Sequence, residues 1–238
     1  MPDHVAYEDT ASDDYEREED GQRATARSVL DRVEQHVPRR GRLLDFGAWV
    51  GFLGSEAAAR GWEVVGVEPS VWAADRARGR GVEIVGPEDL AEGTFDAIAL
   101  GDVIEHLPDP GATLDWLGRL LSSGGVIWIA TPDAGSRAAR ALGRRWWSVI
   151  PTHVHLFTRA SLRALLERHG FELLAMRTSP KTFSVEYYLD RASGYSPALG
   201  RALVTAARAS RLAEREWTPD FRDRFEVVAM RRAAAPPR

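Results

Sequence analysis

Apolar residues recur at helical spacing over residues 23–37, where Ala26, Val29, Leu30, Val33 and Val37 share one face. Pro38 and Gly41 end that helix. From there short apolar runs alternate with amphipathic stretches. Residues 42–46, 62–67, 82–85, 95–100 and 126–131 read as strands, the fourth running on towards Val103. Between them, residues 52–60 and 71–80 read as helices closed by Gly61 and Gly81. Asp109 is a good N-cap and Pro110 a good first-turn residue. The helix they open carries Leu114, Leu117, Leu120 and Leu121 on one face and is expected to end at Gly124-Gly125. Strands separated by helices require a parallel, doubly wound α/β sheet.

The last third changes character. Residues 132–157 read as a long loop holding Trp146-Trp147 and His153-Val154-His155. Thr158 then caps a helix with Leu162, Leu165 and Leu166 inward, ending at Gly170. Residues 171–176 and 224–230 read as two further strands. Between them lies an insert, 179–220, with aromatic and basic residues but no clear strand, and connections of that length are usually functional or disordered. The first 22 residues lack apolar periodicity and read as a mobile arm, so the division expected is 1–22 as arm and 23–238 as one domain carrying the insert as a substrate cap.

Charge and composition narrow the class. Residues 1–22 hold nine acids and one Arg, a net of −8 against −4 for the whole chain. An acidic arm on a mildly basic body leaves no broad nucleic-acid footprint. Absence of cysteine excludes disulfides and thiolate chemistry. The longest apolar runs, such as Val126 to Ala130, are too short to span a bilayer, and the polar N-terminus lacks a signal core, so no membrane association and a cytoplasmic location are expected. One lysine, Lys181, beside 30 arginines points to a GC-rich, bacterial coding sequence.

The turn after the first strand carries the chemistry. Residues 41–54 read GRLLDFGAWVGFLG. Glycines there let backbone approach a ligand, and the helix N-terminus that follows favours electronegative groups. A nicotinamide fingerprint G-x-G-x-x-G is incomplete in either phase. The acid-led pattern D-x-G-x-G-x-G fits better, with Asp45, Gly47 and Gly51 in phase and Trp49 in place of the middle glycine. Glu68 ends the second strand beside this turn, where a carboxylate can accept both ribose hydroxyl protons; solvated turn chemistry is the alternative. Residues 101–110, GDVIEHLPDP, follow the fourth strand, with Thr131-Pro132-Asp133 after the fifth and HVHLFT at 153–158.

These motifs resemble class I S-adenosylmethionine-dependent methyltransferases, in the subgroup that includes ubiquinone-biosynthesis O-methyltransferases and sugar and natural-product enzymes. The resemblance covers roughly residues 23–178 plus the final strand. It implies a Rossmann-like sheet of seven strands, mostly parallel with an antiparallel last strand. S-adenosylmethionine is the implied cofactor, with S-adenosylhomocysteine as product. Asp45 and Gly47 would hold its amino-acid end, with Gly51 in the same turn; Glu68 would hold the ribose, and Glu88 or Asp89 the adenine amino group, unless one of those two is an N-cap. Asp102, in the 101–110 segment, joins the cofactor-binding candidates. The bulk of Trp49 must turn outward or lean over the cofactor.

Methyl transfer to a hydroxyl needs a base, and histidine titrates in the right range. His106, His153 and His155 fall on loops at the C-terminal edge of the sheet, where open α/β sheets bind ligands. His106 and His153 are the catalytic candidates, His106 having loop support as an equal alternative; spacing of two puts His155 on the face opposite His153. No metal is expected, since the region shows no third ligand set. Trp146, Trp147, His155 and Tyr187 are the substrate-binding candidates, the tryptophans serving equally well as a buried anchor. Lys181 or Arg191 would meet an acidic acceptor. The expected activity is O-methylation of a small molecule, with N-methylation or a non-catalytic cofactor-binding partner protein as alternatives. The oligomeric state stays open, a homodimer being one option.

Overall fold

The computed structural model describes residues 18–192 and 196–232. Most of the acidic arm, including Tyr7 and Tyr15, lies outside the described residues. The first helix, α1 (Glu19–Val33), opens four residues earlier than its apolar pattern and stops before Val37. Glu19 and Asp20 sit in its first turn, where acids complement the helix dipole, and Glu19 pairs with both Arg23 and Arg80.

Then follow β1 (Arg42–Phe46), α2 (Phe52–Ala59), β2 (Glu63–Val67), α3 (Val71–Gly79), β3 (Glu83–Ile84), β4 (Phe95–Gly101), α4 (Pro110–Leu120) and β5 (Leu121–Pro132). Asp109 caps α4 by accepting from the Ala112 amide, as its position requires. That helix ends at Leu120, ahead of Gly124-Gly125, because Leu121 already pairs with Phe95 across the sheet. The expected loop 132–157 contains a short helix, α5 (Arg137–Leu142), and a single 3-10 turn. After α6 (Arg159–Arg168) and β6 (Phe171–Thr178) comes the insert, which does contain strands: β7 (Phe183–Ser184) pairs with β8 (Glu216–Trp217) around α7 (Val185–Ala192) and α8 (Pro197–Ala209). Two-residue strands carry no alternation to read. The chain closes with β9 (Arg224–Arg231).

Seven strands form one sheet in the order β3-β2-β1-β4-β5-β9-β6, parallel throughout except for β9, which runs antiparallel to both neighbours. Strand alternation divides the core. Leu44, Ile98, Leu100, Ile127, Ile129, Val227 and Ala229 meet the leucines of α4 and α6 on one face. Leu43, Ala97, Ala99, Val126, Trp128, Ala130 and Val228 meet Val29, Leu30 and Val33 of α1 on the other. The alanines on that second face leave room for the Trp128 ring. Its indole nitrogen donates to buried Glu226, which also accepts from Arg32 of α1 and from Ser179. The insert is stapled to α1: the Thr182 amide donates to the Thr25 hydroxyl, and the Glu18 carboxylate accepts from the amide and hydroxyl of Ser184. Among the described residues no helix is long and apolar enough to cross a membrane.

Gly51 adopts φ 85°, and a Cβ there would stand 2.8 Å from the Ala77 Cα of α3. Gly51→Ala is therefore expected to lower stability by about 2 kcal/mol, strain and overlap acting together; a urea midpoint equal to wild type would contradict this packing.

Candidate active site

The loop between β1 and α2 turns back beneath the end of β2. Amides of Gly47 and Ala48 donate to the Val67 carbonyl, at 2.8 and 3.1 Å. Gly47 has φ 86°, and a Cβ on it would come within 2.4 Å of the Val103 side chain. Trp49 also takes a positive φ, 48°. Its indole turns to α3 and packs on Trp72, ring centroids 5.6 Å apart, joining Val50, Phe52 and Ala73. The question the sequence raised about its bulk is answered by this seat on α3.

Glu68 accepts from the Trp49 amide through Oε2 (2.8 Å) and from the Ser70 amide through Oε1 (2.9 Å). Burial raises its pKa, and those two amides oppose the rise. Both oxygens are thus fixed from one side, with lone pairs left for two hydroxyl donors. Asp45 lies under the turn, accepting from the Gly54 amide, while its Oδ2 is buried without a hydrogen-bond partner. Burial and the nearby Glu68 charge push its pKa up to about 7. A glycine cradle, an aimed carboxylate and an unsatisfied buried acceptor fit the ribose and amino-acid ends of a nucleoside cofactor. Glu88 and Asp89 are exposed in a 3-10 turn whose N-cap is Gly86, with no side-chain cap bond, so the N-cap alternative does not hold.

Asp102 sits at the end of β4 with φ 59°. Its carboxylate accepts from Lys181 Nζ (2.5 Å) and from the Arg224 guanidinium. Burial works against ionisation there, but the Arg224 and Lys181 charges prevail and hold the carboxyl below its ordinary range. Lys181, expected to face the acceptor, is thus occupied by an acid of the protein itself, and both oxygens of Asp102, a cofactor-binding candidate, are taken by cations of the protein. The side chain of Arg191 lies outside the described residues.

His106 and His153 stand edge to face, ring centroids 4.7 Å apart. His106 Nδ1 lies 2.9 Å from the Thr152 carbonyl and His153 Nδ1 2.8 Å from the Ser148 carbonyl. A carbonyl can only accept, so each Nδ1 carries the proton and each Nε2 is the basic nitrogen. Burial lowers both pKa values, keeping the rings neutral at neutral pH. The His155 ring lies 5.8 Å from that of Phe157, and its amide donates to the Glu105 carbonyl. Glu105, which the sequence reading passed over, is buried close to His106 and His153. Its Oε2 accepts from the Thr131 hydroxyl at 2.9 Å, and Oε1 has no hydrogen-bond partner. Burial, with the Asp102 charge, raises its pKa to about 7. Glu105, His106 and His153 offer three ligand atoms all within 4.8 Å of one another, so the premise that a third ligand is lacking fails; such a set could hold a divalent cation. The available signal was Glu105 sharing a segment with His106.

Trp146 is buried and serves as the loop's anchor; half-exposed Trp147 donates to Asp223 at 2.9 Å. Tyr187 stacks on Phe183 (4.1 Å) in an aromatic cluster of the insert with Tyr188, Trp217 and Phe221.

A family model described as a methyltransferase domain matches residues 17–176. The ubiquinone biosynthesis O-methyltransferase of Xylella fastidiosa is 36% identical over 114 residues, 43% of this chain and 46% of that protein. The chain spans about half the length of the curated relatives it matches. Among solved structures, a SAM-dependent methyltransferase from Thermotoga maritima, described as a possible histamine N-methyltransferase, superposes with TM-score 0.58 at 20% identity, covering 90% of this chain and 91% of its own. Haemonchus contortus phosphoethanolamine N-methyltransferase 2, solved with S-adenosyl-L-methionine, gives 0.54 at 16%, covering 88% and 53%. At such identities the likeness is one of fold. The chain belongs to the methyltransferase-domain family, as a class I S-adenosylmethionine-dependent member.

Asp45 generates a pH signature. Its native pKa, about 7, exceeds the unfolded value of about 3.9. Between those limits the native state binds more protons, so this group's stabilisation is full below about pH 4 and is lost as pH rises towards 7. Asp45→Asn is expected to shrink the difference in unfolding free energy between pH 5 and pH 7 by about 2 kcal/mol. Urea titrations of both proteins at the two pH values measure it; an unchanged difference would show that Asp45 is ionised throughout.

Proposed function

We propose that this protein methylates a hydroxyl oxygen of a small-molecule acceptor. The observation that carries the reading is the His106–His153 pair, held neutral with Nε2 as the basic nitrogen, at the sheet edge that also presents the glycine turn and Glu68. When bound, S-adenosylmethionine supplies an electrophilic methyl group on a sulfonium. Glu68 would hold the ribose and the turn from Gly47 to Gly51 would receive the amino-acid end, so that positioning would supply much of the rate. His153 Nε2 would accept the proton that the acceptor's hydroxyl gives up. The Ser148 carbonyl stabilises the resulting imidazolium through Nδ1–H, and His106 buttresses the ring. The insert, packed around Phe183, Tyr187 and Tyr188, closes the acceptor side. Similarity to ubiquinone-biosynthesis O-methyltransferases supports oxygen over nitrogen.

Glu68→Ala is expected to abolish S-adenosylmethionine binding in calorimetry while the circular dichroism spectrum stays native. Undiminished binding would remove Glu68 from the site. His153→Ala is expected to lower kcat by about 10²- to 10⁴-fold with cofactor affinity unchanged. The assay transfers a labelled methyl group to panels of phenols, sugars and amines; label found only in amines would overturn the oxygen assignment.

A further inference from the structure

The same edge of the sheet holds a second feature. A cleft of about 500 Å³ opens between α5, the start of α6, the end of β6 and the approach to β9. Arg137, Arg140, Arg159 and Arg222 line it, with Asp133 and Asp220 the acids. Both acids are already engaged. Asp133 accepts from the Gly135 amide at 2.9 Å and from Arg159 at 3.0 Å. Asp220 accepts from the Arg222 amide at 2.9 Å and from the Thr178 hydroxyl at 2.8 Å. Among the described residues Arg137, Arg140 and Arg222 pair with no carboxylate. Arg137 and Arg140 are three apart on α5 and so share a face. Arg222 is held at φ 54°, a costly conformation outside glycine, with its amide pinned to Asp220.

Three guanidiniums without acidic partners around a cleft, in a protein of net charge −4, attract an anion. Planar forks with several N–H donors suit the oxygens of a phosphoryl group. The cleft also adjoins the histidine site. Asp133 lies two residues beyond Thr131, which bonds Glu105, and Arg222 two residues before Arg224, which bonds Asp102. Two residues of extended chain span about 7 Å.

We propose that this arginine cleft binds a phosphoryl group; resting on the methyl-transfer reading above, that group belongs to the acceptor, which is thus a phosphorylated small molecule. Calorimetry of the full chain with inorganic pyrophosphate tests it, with malonate as the carboxylate counterpart. Pyrophosphate is expected to bind, malonate about tenfold more weakly, and Arg137→Gln/Arg140→Gln to weaken pyrophosphate about tenfold with thermal midpoint and S-adenosylmethionine affinity unchanged. Arg201→Gln, an equal kind of charge loss on exposed α8, is expected to leave binding within about twofold. No pyrophosphate binding up to about 10 mM, equal affinity for malonate, or an equal loss in Arg201→Gln would overturn the phosphoryl site. Loss of S-adenosylmethionine binding by the wild-type chain, with pyrophosphate still bound, would instead overturn the methyl-transfer reading.

Discussion

The sheet edge that carries the histidine pair hangs on one carboxylate. Asp102 ends β4 in a left-handed conformation that a short polar side chain tolerates better than most, and its two oxygens take Lys181 from the insert and Arg224 from the head of β9. Three segments far apart in sequence are thereby fixed to the sheet edge where ligands of this topology bind. Without its cations a carboxylate this buried would lose much of its charge; with them it stays ionised and raises the proton affinity of Glu105 one turn later. At the histidine pair the same charge only opposes the lowering that burial imposes on both rings.

The turns that carry Asp45 and Glu68 depend on a different constraint, close backbone approach. Gly47 stands against Val103 and Gly51 against Ala77, so the first turn, the β4 loop and α3 lock together without side-chain spacers. Glu68 ties the arrangement by accepting from amides on both the first and second turns. Trp49, the departure from the glycine pattern, is accommodated because Trp72 supplies it with a partner on α3.

Where local pattern and tertiary role coincided, the sequence was legible. The parallel strands, the caps at Asp109 and Thr158 and the placing of Asp45, Gly47, Gly51 and Glu68 on adjacent turns follow from periodicity and turn chemistry. What was hidden arises from long-range pairing. Lys181 seemed available to an acceptor because nothing local reveals an acid 79 residues away. Glu105 looked like one more polar loop residue until the 3-10 turn at Ile104–His106 faced it toward Thr131. The insert hid its strands because two-residue strands show no alternation, and α8 hid its helix because most of it, Leu199 and Leu203 included, faces outward.

The placement of β9 between β5 and β6 has a consequence for how the molecule is made. During synthesis β6 leaves the ribosome with no neighbour to pair with, while the five parallel strands before it can already assemble. Only when β9 follows does the gap close, and the same segment delivers Arg224 to Asp102 and Glu226 to Arg32. The turns that carry Asp45 and Glu68 can therefore form in a nascent chain while Asp102 still waits for Arg224.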